Sequence, residues 1–148
     1  MIQIKPEWKV NNFANEDQFQ CAAMIEISRL FPQLRGKVWH TKNEGEIKRM
    51  PNEGAATYNR RRLIEGNNNK AKGMLAGVMD ILLLHNGILY KNELKQPRGV
   101  LSSSQLELHS IWNRDCPQIP VAISYTVEDV ILWVEKILRN NLRIDFRT

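Results

Sequence analysis

The chain has 148 residues, 43% of them hydrophobic and 25% charged, the size and balance of one globular domain and not of a disordered or fibrous polypeptide. Its net charge of +5 and pI near 9.4 fit a polyanionic partner, although many basic proteins never touch nucleic acid. The opening Met1-Ile-Gln-Ile-Lys-Pro-Glu-Trp8 lacks the apolar core of a signal peptide, no run approaches membrane-spanning length, and Cys21 and Cys116, without CxxC spacing, read as reduced, partly buried thiols.

Asn15 can cap a helix whose first turn carries Glu16 and Asp17 and whose apolar positions are Phe19, Ala22, Ala23, Ile25, Ile27 and Leu30, until Pro32 stops it. Residues 37–41 alternate weakly and predict a strand, and Asn43-Glu-Gly45 predicts a turn. Residues 54–65 read as a short basic helix and residues 66–73 as a flexible basic loop. Two apolar runs then meet at Asn86-Gly87, which predicts a β-hairpin, and Pro97 and Gly99 break its second strand. Ser102-Ser-Ser-Gln105 opens a helix to about Arg114, residues 119–125 form a strand, and residues from Val127 to about Arg139 are apolar at helical spacing, ahead of a loose tail. No repeat and no long linker interrupts the chain. The order is therefore α-β-β-β-α-β-α, an α/β domain over residues 1–148 with its core at about 15–139 and a central mixed β-sheet flanked by helices.

The hairpin holds the chemistry. A type I′ turn needs positive φ at both central residues, and Asn-Gly supplies it at low cost. With that loop, Asp80 falls opposite Glu93 as a non-hydrogen-bonded pair, the closer kind. Like charges placed face to face destabilise a sheet, so two acids in apolar strands call for something positive between them, most simply a divalent metal ion. Lys95, two residues past Glu93, turns to the same face while Leu94 points the other way.

Each of these residues has a plainer role to set against the functional one. Asp80 could be satisfied by backbone amides, and Glu93 with Lys95 could be a solvated strand face. Arg60, Arg61, Arg62, Lys70, Lys72, Lys42 and Lys48 could line a phosphate-tracking groove or simply face solvent. His40, His85 and His109 lack zinc-ligand spacing and read as structural, and Trp39, Trp112 and Trp133 read as core residues and not as base-stacking platforms.

An acid at the start of the first helix, a Gly-x-x-Asp on the second strand, a Glu-x-Lys on the third and a Gln-led helix after it resemble the PD-(D/E)XK nuclease superfamily. More narrowly, Asn43-Glu-Gly, Gly77-Val-Met-Asp80, Asn92-Glu-Leu-Lys95, and Gly99 with Leu101-Ser-Ser-Ser-Gln105 resemble its VRR-NUC branch, over roughly residues 15–125. Met79 stands where the superfamily has proline before the metal aspartate, and residues 48–72 make a longer stretch than a minimal member has.

The resemblance implies a restriction-endonuclease-like core and a Mg²⁺- or Mn²⁺-dependent endodeoxyribonuclease acting on double-stranded or branched DNA, Holliday junctions included. It makes Asp80, Glu93 and the backbone carbonyl of Leu94 the metal ligands, with Glu16 reaching the metal through water. Lys95 would stabilise phosphoryl charge or help deprotonate the nucleophile, and Gln105 would orient the lysine or the phosphate. Glu16 also suits the helix macrodipole with Glu26 as its rival, and Gln105 also completes a capping box with Ser102. A homodimer and a cytoplasmic location, in a bacterial or phage-infected cell, complete the expectation. Two alternatives stand beside it: an inactive nuclease-fold module that grips nucleic acid, and a metal-dependent hydrolase of another phosphorylated substrate.

Overall fold

The computed structural model describes residues 2–41, 48–73 and 75–140. Lys42, the turn predicted at 43–45 and the predicted tail beyond 140 lie outside the described residues.

Asn15 caps α1 (Glu16–Leu30) by accepting the Gln18 N–H at 2.9 Å, and Pro32, which has no N–H to give, ends it in a single 3-10 turn over Pro32–Leu34. The buried face of α1 is Phe19, Ala23, Glu26 and Ile27. Ile25, expected on that face, is 68% exposed, because at 100° per residue it sits roughly 120° round from Phe19. Glu26 takes an inward place that the helical period reserves for an apolar side chain.

Among the described residues four strands follow: β1 (Val38–His40), β2 (Ile81–His85), β3 (Ile88–Leu94) and β4 (Ala122–Ser124), shorter than the predicted 119–125. They lie in the order β1-β2-β3-β4, the first three antiparallel and β4 parallel to β3, so the sheet is mixed as expected. A parallel neighbour needs a crossover, which α3 (Ser103–Asp115) supplies. Thr126 and Asp129 form a capping box at the start of α4 (Val127–Arg139).

Strand alternation divides the sheet into two unlike faces. Ile81, Leu83, Ile88, Tyr90 and Leu94 join Phe19, Ala23 and Ile27 of α1 and Val127, Val130, Ile131 and Val134 of α4 in the core. The opposite face carries Leu82, Lys91 and Glu93, with α3 lying over part of it. Trp39, expected in the core, is 41% exposed on the edge strand β1, and Cys21, expected to be partly buried, is also exposed. Both cysteines are free thiols.

Between β1 and β2 stands α2 (Ala55–Ala71), none of whose residues is buried. The loop expected from residue 66 is therefore helical as far as 71. One glycine inside a helix costs only about 1 kcal/mol relative to alanine and does not end it. The stop is Gly73, at φ +86°, which donates its N–H to the Lys70 carbonyl, while the Lys72 N–H reaches the Asn68 carbonyl. No helix among the described residues is long and apolar enough to cross a membrane.

Candidate active site

Asn86 at φ 51° and Gly87 at φ 77° form the two-residue turn, and the register from His85↔Ile88 to Ile81↔Asn92, carried one step further, sets Asp80 opposite Glu93. Glu93 is completely buried, and Asp80 and Lys95 nearly so. Asp80 is held by its approach to β2. Gly77 sits at φ +78°, and a Cβ there would fall 2.6 Å from the Ser104 carbonyl oxygen, so only glycine lets this segment pass the start of α3. The Thr41 N–H donates to the Asp80 carbonyl at 2.9 Å and its hydroxyl to the Met79 carbonyl. The Leu94 N–H donates to Asp80 Oδ2 at 2.8 Å, bringing β3 backbone into the site.

The helices deliver the remaining groups. Lys95 Nζ stands 3.7 Å from both Glu93 Oε1 and Glu16 Oε1, the latter from the first turn of α1. The rival acid Glu26 instead binds Arg29, which donates through Nε at 3.0 Å and through a second guanidinium nitrogen. Gln105 completes the capping box foreseen for it, its Oε1 accepting the Ser102 N–H at 2.9 Å, while its Nε2 donates to Glu93 Oε1 and not to the lysine it was expected to orient.

One turn further along α3, His109 places Nε2 3.7 Å from Glu93 Oε2, and both atoms are buried without a hydrogen-bond partner among the described residues. Zinc spacing is the wrong test for this histidine. Its signal in the sequence is the i,i+4 relation to Gln105, which sets both side chains on one face of α3.

Burial, then the neighbouring Asp80 charge and a side-chain hydrogen bond with Asp80, push Glu93 up to about 8, while Lys95 pulls it down. Burial, reinforced by the Lys95 charge, lowers the His109 pKa and favours its neutral ring. Among the described residues no three His, Cys, Asp or Glu side chains gather closely enough to hold an ion by themselves. Two carboxylates completed by backbone oxygen and water remain, the donor set that Mg²⁺ or Mn²⁺ accepts. The buried Glu93 Oε2, on which no described residue places a hydrogen-bond donor, fits that use.

The basic residues disperse. Arg61 is half-buried and donates to both Glu53 carboxylate oxygens at 2.7 and 2.9 Å and to the Lys48 carbonyl at 3.1 Å. Arg60 is exposed, as are Lys70 and Lys72, and the exposed Arg62 guanidinium lies over the Tyr58 ring at 5.5 Å. Three consecutive residues on a helix point about 100° apart, so the triplet does not face one groove.

No protein-family model matches the sequence, and no curated protein matches it. Among solved structures, a VRR_NUC domain protein superposes with a TM-score of 0.61 at 14% sequence identity, across 87% of this chain and 92% of that one. The chain therefore has a VRR-NUC-like fold, an α/β nuclease-type core around a four-stranded mixed sheet.

Proposed function

We propose that this chain is a Mg²⁺- or Mn²⁺-dependent endonuclease that hydrolyses phosphodiester bonds in DNA. The observation that carries the proposal is the juxtaposition of buried Asp80 and Glu93 at facing positions of the hairpin, with Lys95 on the same side and no arginine among the described residues paired to Glu93. The name of the VRR_NUC structural neighbour supports the same reading.

Asp80, Glu93 and the Leu94 carbonyl would hold the ion, with Glu16 acting through water. Once bound, such an ion lowers the pKa of a coordinated water and offsets charge on the phosphoryl oxygens. The rest falls to side chains. Lys95, its ammonium between Glu16 and Glu93, stabilises negative charge at the phosphate or takes part in deprotonating the nucleophile. Gln105 fixes one Glu93 oxygen from a helix start that its own amide caps, which keeps the carboxylate in one orientation.

Arg60, Arg62 and Lys70 on α2 and Lys72 at its C-terminal cap offer phosphate contacts on more than one side of the helix, so a duplex would engage only part of the set, in an insertion whose base lies beside Asp80 through the Thr41 hydrogen bonds. Branched or junction DNA is the proposed substrate form by analogy of fold. A homodimer belongs to the same reading, supported by Trp39 and Leu84, both exposed on one face of the sheet.

The test is incubation with supercoiled, linear and four-way-junction DNA, with and without Mg²⁺ or Mn²⁺, beside Asp80→Ala and Lys95→Ala. Metal-dependent cutting lost in both variants supports the proposal. Equal cutting by all three proteins overturns it, and metal-independent binding without cutting by the parent protein favours the inactive module.

A further inference from the structure

We infer that the face of β3 carrying Glu93 continues into a subsite for one unpaired nucleotide of the substrate strand, built from Lys91, Trp112 and Arg114. The inference rests on the nuclease reading of the neighbouring carboxylates.

Lys91 is 6% exposed, yet among the described residues no carboxylate forms an ion pair with it, and its recorded partner is the Trp112 ring, 5.4 Å from Nζ. A buried ammonium is costly without an anion, and a cation–π contact offsets only part of that cost. The same lysine lines a cavity of about 550 Å³ together with Leu89, Ile111, Trp112, Arg114 and Asp115. That is room for a nucleotide. Its wall is apolar and aromatic, its cations outnumber its acid, and the acid offers an acceptor to an exocyclic amino group. A base against the indole and the aliphatic side chains, with its phosphate on Lys91 and Arg114, satisfies each of these features.

The location argues for nucleic acid over a free metabolite. Lys91 and Glu93 are two apart on one strand, so they share a face and lie about 7 Å from one another. Lys91 and Lys95 thus flank Glu93 on one face, about 13 Å apart, so that they would meet phosphates on either side of the carboxylate and not adjacent ones. A base stacked and paired in a continuous duplex has no free face to lay on the indole of this open depression, whereas a base at a branch, flap or gap has one.

Fluorescence anisotropy with Asp80→Ala protein in EDTA, comparing a blunt duplex with the same duplex carrying a single-stranded branch, tests the subsite without cleavage. We expect the branched substrate to bind about tenfold more tightly. Lys91→Met, which keeps the apolar stem, and Trp112→Leu should each erase that preference while changing affinity for the blunt duplex by less than about twofold. Lys91→Arg should retain it. Trp112→Phe, which keeps a ring for packing, should weaken it less than Trp112→Leu, and thermal unfolding of each variant checks that the fold is kept. Absence of a preference in the parent protein, or a preference unchanged by both Lys91→Met and Trp112→Leu, overturns the subsite. Parent protein that cuts blunt duplex with Mg²⁺ but shows no preference fails this inference alone. Protein that shows the preference yet cuts nothing fails the nuclease reading alone.

Discussion

Two glutamates among the described residues are almost wholly buried, and their surroundings could hardly differ more. Glu26, inside α1, has Arg29 one turn away. The hydrogen bonds from that guanidinium, outweighing burial, hold its carboxyl below the ordinary range. Glu93, inside the hairpin, has Asp80 for a neighbour, an amide donor in Gln105 and a lysine at 3.7 Å, and burial drives it up to about 8. A buried acid with its own arginine is a structural element. A buried acid beside another acid is, on the proposed reading, the one that exchanges its proton for a cation.

The sharpest way to break this contrast is to neutralise each acid in turn. Glu93→Gln should reduce cleavage by about a hundredfold to a thousandfold, whereas Glu26→Gln should leave the rate of the folded protein unchanged. If both variants cut alike, the distinction carries no function. Gly77→Ala attacks the same site through the backbone: positive φ and a 2.6 Å approach to Ser104 leave no place for a methyl, so we expect a loss of about 3 kcal/mol in urea unfolding together with lost activity.

Titration separates the two acids by sign. From about 4.5 to about 8 the metal-free native protein holds a proton at Glu93 that the unfolded chain has released, so this contribution is fully present below 4.5 and is lost as pH rises through that window. The slope is at most about 1.4 kcal/mol per pH unit. Glu26 works in the opposite sense, stabilising above 4.5 and losing its contribution as pH falls through its lowered native pKa. In metal-free chemical unfolding, Glu93→Gln should flatten the neutral limb of the stability profile and Glu26→Gln the acid limb. Calorimetry of Mg²⁺ binding at pH 7 in buffers of different ionisation enthalpy should register release of about one proton, fading above pH 8 and absent in Glu93→Gln. The smallest effect belongs to the surface. Arg60→Gln with Arg62→Gln, whose side chains point about 200° apart on α2, should weaken DNA binding and lower its salt dependence by about one charge, while Arg61→Gln, whose charge Glu53 already engages, should change the salt slope least.

The elements that could be read from sequence are those decided by neighbours along the chain. Asn86-Gly87 specifies its turn, the turn specifies the register, and the register alone places residue 80 across from residue 93 with residue 95 on the same side, because a strand has period two and tolerates no slip. Caps behave likewise: Asn15 and Ser102 open helices because each satisfies a backbone N–H three residues on. The end of α2 is not legible locally, because Gly66 and three asparagines look like a loop while the actual stop is the left-handed Gly73.

What required the folded molecule is everything that joins distant segments. Whether Glu16 or Glu26 approaches Lys95 depends on how α1 lies across the sheet, not on the helix pattern, and both sit on the same fifteen-residue helix. That Gln105 can cap its helix and hold Glu93, that His109 stands beside the same carboxylate, and that Lys91 is enclosed against Trp112 all follow from α3 crossing over β3. Local chemistry sets turns, caps and alternation through contacts a few residues apart. Burial, and with it the shifted proton affinity of Glu93, is set by layers that meet only when remote parts of the chain pack together.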